Sequence, residues 1–226
     1  MYYYQSALFI AFSVGLYSLI LSLGLKDKLV KAMVFSILLL CLMRYLSLFI
    51  FYIASSQEIL YQLKYLALCS IIGLPILSYI CIKYIKNNCL SNLDMIIVGC
   101  IALVFSYILF HAPKGIVIKN TNYSILYNDG WQLIVAVVLC IFSAIMLYIS
   151  LLYFIKVKNL AIKLNLLLFF IGFLVCIAEY IILILGYECL KENIIAEMIL
   201  MTAILFSIRN MIRIRWRIEK GYYKIT

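Results

Sequence analysis

Apolar and polar positions along the chain alternate on a long scale, with apolar runs at about 5–25, 30–54, 61–85, 92–112, 131–155, 161–186 and 193–214. Each is about 20 residues or longer, the length a helix needs to cross a hydrocarbon core of about 30 Å. A spanning helix satisfies its backbone groups internally, so these runs predict an all-α integral membrane protein. The expected architecture is a seven-transmembrane helix bundle over residues 1–214, followed by a short basic tail, 215–226. Composition agrees: 68% of the residues are hydrophobic and 12% are charged, with mean hydropathy +1.15, too little polar surface for a soluble domain.

The charges orient the bundle. Lys26, Lys28 and Lys31 follow the first run, Lys83 and Lys86 the third, and Lys156, Lys158 and Lys163 the fifth. With Arg209, Arg213, Arg215, Arg217, Lys220 and Lys224 at the end of the seventh, fourteen basic residues fall on one side. The other side has Lys64, Lys114, Lys119 and Lys191, and it also holds Glu58, Asp129, Glu188, Glu192 and Glu197. The positive-inside rule then places the N-terminus outside and the C-terminus in the cytoplasm, in a multi-pass protein of the cell membrane. The net charge of +10 is thus accounted for by topology and by the lipid bilayer, and no nucleic-acid partner is expected. In the segment RNMIRIRWRIEKGYYKIT, Arg209, Arg213, Arg215 and Arg217 are candidates for contact with lipid headgroups or a protein partner. At the other end, Tyr2, Tyr3 and Tyr4 fit an aromatic belt at the outer interface. The first run lacks a basic n-region and a cleavage site, and is expected to be retained as a span.

Two charged residues lie deep inside the runs, well away from their ends. Arg44 lies at the middle of AMVFSILLLCLMRYLSLFIFYIA, and Glu179 lies within IGFLVCIAEYIILILG. A charge near the bilayer centre costs at least about 2.5–3.5 kcal/mol unless it is paired or wet. Both runs go from cytoplasm to outside, Arg44 about 12 residues in and Glu179 about 16, an axial gap of about 6 Å that an arginine can cover. An Arg44–Glu179 pair is therefore expected, either as a static clasp or beneath a ligand cavity. In the third run, Gly73 and Pro75 predict a kink that opens space in the outer half. The connection APKGIVIKNTNYSILYNDG carries turn residues Pro113, Gly115, Asn128, Asp129 and Gly130 around an alternating stretch, and it predicts a hairpin or cap over the bundle mouth. Ala7, Ala11 and Gly15 form a small-residue ridge for close helix packing.

Much chemistry is missing. None of the patterns GxxxxGK[ST], GxGxxG, HExxH and GxSxG occurs. His111 is the only histidine, so a multi-histidine metal centre cannot be built, and the seventh run has no lysine for a retinal Schiff base. The eight cysteines show no CxxC spacing and read as small core residues. No catalytic residue, metal or cofactor is expected, and no enzyme activity.

The order of features resembles a known family. The segment LKYLALCSIIGLPILSYICIKY in the third span, the exit from the fourth through Tyr107, Phe110 and His111, and the Gly130–Trp131 opening of the fifth carry the resemblance. Together with seven spans and an outside N-terminus, they resemble the N-terminal seven-helix sensor region of bacterial histidine kinases over nearly the whole chain. The asparagine expected before the histidine is absent, Ser106 and Tyr107 standing there, and no kinase segment precedes Thr226. The resemblance implies a stand-alone sensor that binds an extracellular or membrane-borne ligand and signals through a separate partner, a kinase or regulator. Arg44, Glu179, Pro75, Tyr107, His111 and Trp131 are the residues expected at its ligand or switch site. The alternative expectation is a non-catalytic membrane subunit of a transport, export or immunity complex driven by a separate ATPase, since one fold serves many functions.

Overall fold

The computed structural model describes residues 2–219 apart from 54–56, 88, 112–113, 120–121, 128 and 186–193. Among the described residues are α1 (Tyr2–Ser22), α2 (Lys28–Ile53), α3 (Gln57–Ala67), α4 (Ser70–Asn87), α5 (Asn92–His111), β1 (Lys114–Lys119), β2 (Asn122–Tyr127), α6 (Asp129–Lys156), α7 (Leu160–Ile184) and α8 (Ile194–Glu219). Seven spans are long and apolar enough to cross a membrane, and the third, Leu63–Ile85, is made of two helices, α3 and α4. The expected hairpin is present: β1 and β2 pair antiparallel, Lys114 opposite Tyr127 and Lys119 opposite Asn122, with β1 against α3 and β2 against α6. The basic tail begins as helix, α8 continuing through Arg215 and Arg217 to Glu219. Arginine is a good helix former, and no glycine or proline precedes Gly221 to stop the helix. Lys220 and Lys224, like Lys191, Glu188 and Glu192, lie outside the described residues.

The short polar breaks on the basic side act as helix starts. Asp27 Oδ1 accepts from the N–H groups of Leu29 and Val30 at 3.1 and 3.3 Å, capping α2. At α5, Ser91 and Asp94 form a reciprocal capping box: the Asp94 N–H donates to Ser91 Oγ at 3.2 Å, and the Ser91 N–H donates to Asp94 Oδ2 at 3.0 Å. Asn159 Oδ1 accepts the Ala161 N–H at 3.0 Å and starts α7. These caps supply acceptors for donors that the first helical turn leaves unpaired.

Within the bundle α4 is the hub. It packs on α2, α5 and α8 and also touches α6 and α7. The third span is 72% buried, against 28–56% for the other six. A helix that is apolar on every face belongs in such a position, and Leu74, Leu77, Ile80, Cys81 and Tyr84 are all buried. Around it α2 packs on α1, α1 on α8, α8 on α7 and α7 on α6. The outward surface carries large apolar side chains such as Phe9, Leu103 and Ile155, a surface suited to lipid.

Small residues set the closest approaches. Ala11 is fully buried, and a Cβ on Gly15 would lie 3.1 Å from both Leu42 and Met201, so the expected ridge is a packing surface. Gly73 is tighter still: a Cβ there would lie 2.6 Å from Cys41 Sγ of α2, with the Ile37 carbonyl oxygen at 3.7 Å. Gly73→Ala is expected to destabilise the protein by about 1–3 kcal/mol through overpacking, and Cys41→Ala in the same chain to restore part of that loss. Thermal unfolding of both variants in detergent tests this, and strictly additive effects would refute the close-approach explanation.

Candidate functional site

The site is built around the interruption of the third span. Between α3 and α4 the backbone tightens: the N–H groups of Leu68 and Cys69 bond to the carbonyls of Tyr65 and Leu66, each at 3.2 Å, and those of Ile71 and Ile72 to Leu68 and Cys69, each at 3.1 Å. These bonds reach three residues back rather than four. In an uninterrupted α-helix the Ile71 N–H would bond to the Ala67 carbonyl. Because Ile71 turns to Leu68 instead, the Ala67 carbonyl is left for another donor.

That donor is Arg44 of α2, which is 3% exposed. Its Nη1 donates to the Ala67 carbonyl, its Nε to Glu197 Oε2 at 3.1 Å, and its Nη2 to Glu197 Oε1 at 2.9 Å. The forked arrangement on one carboxylate is the strong form of the arginine–carboxylate pair. Ser70, the first residue of α4, donates its hydroxyl to Glu197 Oε1 at 2.8 Å. One ion pair thus joins the middle of α2, the end of α3, the start of α4 and the first turn of α8.

Two expectations are corrected here. The interruption was expected at Pro75; it lies at Leu68–Cys69, about two turns earlier. Proline lacks an N–H and its ring presses on the carbonyl four residues back, which displaces the disturbance toward the preceding turn. There Arg44 takes up the freed carbonyl. Secondly, Arg44 pairs with Glu197, not with Glu179. The charge pattern assigned Glu197 to the outer aqueous side, but it sits in the first turn of α8, where the helix dipole favours a carboxylate, and that turn lies beside the centre of α2.

Glu179 stands close by on α7. The backbone N–H groups of Ile195 and Ala196 and the Glu197 carboxylate act on it, yet both its carboxyl oxygens are buried with no hydrogen-bond partner of ordinary geometry among the described residues. Tyr45 is fully buried, with its hydroxyl beside Glu197 and likewise lacking such a partner. The other expected residues are dispersed. Trp131 and Tyr180 pack against a small apolar cluster of Phe105, Ile108, Val135 and Leu139. Tyr107 and His111 stack on each other, ring centroids 4.4 Å apart, and both are exposed. Phe105 and Ile108 occupy the buried face of α5, so Tyr107 and His111 fall on the opposite one. Arg209 and Arg213 are exposed and, four residues apart, share a face near the end of α8.

Reasoning from the sequence missed Glu197, Ser70 and Tyr45. The signal for Glu197 was present, an acidic residue inside the limits of the seventh apolar run. A second polar contact was also passed over: Asn165 Nδ2 donates to Ser207 Oγ at 2.7 Å, tying α7 to α8. Elsewhere in the bundle, buried Asp94 accepts from the Tyr79 hydroxyl at 2.8 Å and lies 3.4 Å from Lys83 Nζ, which ties α5 to α4. The Arg44 cluster offers charge and hydrogen bonds that can be exchanged between partners. Among the described residues no group of three or more His, Cys, Asp or Glu is placed to hold a metal. Comparison with protein-family models, curated proteins and solved structures finds no match.

Removing one member of a buried pair leaves the other charge uncompensated, so Arg44→Met or Glu197→Leu alone is expected to lose about 3–5 kcal/mol of stability. Arg44→Met combined with Glu197→Leu should recover most of that loss. Ser70→Ala, which deletes a single bond to a charged group, should lose about 1.5–3 kcal/mol. Denaturant unfolding in mild detergent measures all four, and a double variant as unstable as the sum of the singles would rule out the pairing.

Proposed function

We propose that this protein is a sensor of the cell membrane, with its N-terminus outside and its C-terminus in the cytoplasm, which binds an extracellular or membrane-borne ligand and signals through a protein partner. The observation that carries this reading is that the pair closing the broken third span, Arg44–Glu197, is shared with α8, a single helix from Ile194 to Glu219. The break has a competing arrangement. If the Ala67 carbonyl returned to the Ile71 N–H, α3 and α4 would join into one helix, and Arg44 would lose an acceptor. A ligand shifts such an equilibrium only by binding its two states differently. One that favoured either state at the outer end would move the first turn of α8, and the helix would carry that movement to Arg209 and Arg213. The hairpin, resting on α3 and α6, covers the approach to the cluster in this reading. Topology follows from the distribution of lysine and arginine, and the sensor role also draws on the resemblance to the histidine kinase sensor region.

One observation favours a second reading. Interrupted spans with buried charges near the middle of the bilayer are how many transporters hold their substrates and coupling ions, and the broken α3–α4 unit is the most buried span here. The alternative is therefore a non-catalytic membrane subunit of a transport, export or immunity complex with a separate ATPase.

Affinity purification of the tagged protein from its native membrane in mild detergent separates the two. Recovery of a kinase, cyclase or regulator is expected, with most of it lost on Arg209→Glu together with Arg213→Glu while thermal stability is kept. Recovery of an ATPase or of further membrane subunits would overturn the sensor reading in favour of the second.

A further inference from the structure

The Arg44–Glu197 pair is neutral as a unit, and both Glu197 oxygens are engaged, Oε2 by Arg44 and Oε1 by Arg44 and Ser70. Glu179 places a second carboxyl beside it, with oxygens sealed from solvent and without a hydrogen-bond partner of ordinary geometry among the described residues. The groups around it can be named. From α8 come the Glu197 carboxylate and the N–H groups of Ile195 and Ala196. From its own helix come Cys176 and Tyr180, and from α6, packed along α7, comes the Ser143 hydroxyl, which meets Cys176. Arg44 of α2 is paired with Glu197. The α8 N-terminus supplies the equivalent of about half a positive charge, less than a desolvated carboxylate needs.

As two carboxylates and one guanidinium, the cluster is one positive charge short. A metal cation would need several oxygen ligands gathered about it. An occupant that fits two oxygens with no solvent contact and no ligand cage is a proton.

We infer that Glu179 is an exchangeable proton site: it takes one proton from the outer aqueous phase, and the Arg44–Glu197–Ala67 arrangement is held only while Glu179 is the neutral acid. The proton passes from a hydronium ion to a carboxylate oxygen, forming the O–H bond and leaving water. When the proton departs to hydroxide, which becomes water, the Glu179 carboxylate repels Glu197 and competes for Arg44, which then releases the Ala67 carbonyl. The inference needs the buried cluster but not the signalling role, and it stands equally if the protein serves in transport.

The test is infrared difference spectroscopy of the whole chain in lipid nanodiscs, stepped from acidic to alkaline buffer. A protonated-carboxyl band, shifted in heavy water, is expected in the wild type at neutral pH. It should disappear at alkaline pH, be missing from Glu179→Gln and persist in Asp94→Asn. The folded state binds the extra proton, so wild-type stability should fall as pH rises, while Glu179→Gln should fold and lose this dependence. Absence of the band at neutral pH, its survival in Glu179→Gln, or a Glu179→Gln chain that cannot fold would each overturn the inference. So would a band replaced by a sodium-dependent stabilisation, which would make the occupant a metal ion. None of these readouts depends on which protein is captured from the membrane.

Discussion

A guanidinium in an apolar interior must find acceptors or draw water in with it, and most of the architecture here answers that demand from Arg44. Its donors are shared between a carboxylate and a backbone carbonyl, so neither partner alone would complete it. The carbonyl exists as an acceptor only because the third span is interrupted, and the carboxylate is in reach only because α8 begins low enough to put its first turn against α2. The ion pair and the broken helix are therefore one feature. Repairing the helix would strip the arginine, and neutralising the arginine would leave a carbonyl unsatisfied in a dry interior, a cost of roughly 1–3 kcal/mol.

The hub position of α4 turns this local arrangement into a property of the whole bundle. A peripheral helix with such a break could relax toward lipid, but α4 is enclosed by α2, α5 and α8 and touched by α6 and α7. Close-packed interiors transmit displacement rather than absorb it. The tight contact of Gly73 with Cys41 fixes α4 on α2 less than two turns from the break, so a change at Ser70 has few directions in which to go. The first turn of α8, joined to Ser70 through Glu197, is one of them.

The gross architecture was legible in the sequence because length and apolarity are additive properties that survive without knowledge of neighbours. The seven runs reappear as seven spans, and the alternating GIVI stretch reappears as a strand. The caps at Asp27, Ser91 and Asn159 are equally local. The partner of Arg44 was not legible, because choosing between Glu179 and Glu197 needs the relative heights of two helices that meet only in space. Counting residues from the ends of hydrophobic runs assumes that all helices start at one plane, and α8 departs from that plane. The position of the break escaped for a related reason: proline announces that a helix will be disturbed, but not at which turn. Tyr107 and His111 were singled out by resemblance, and the helical period alone, with Phe105 and Ile108 facing inward, sets them on the outer face.

The 153 residues between Arg44 and Glu197 have a consequence for how the protein is made. At synthesis rates of about 5–20 residues per second, that separation of 153 residues keeps the arginine waiting roughly 8–30 s for its carboxylate. Ala67, only 23 residues further along the chain, arrives far sooner. The Ala67 carbonyl is thus already in the chain as an acceptor for Arg44 before Glu197 has been made. The interruption of the third span therefore brings the first acceptor of the arginine close to it along the chain, while the second comes only with α8.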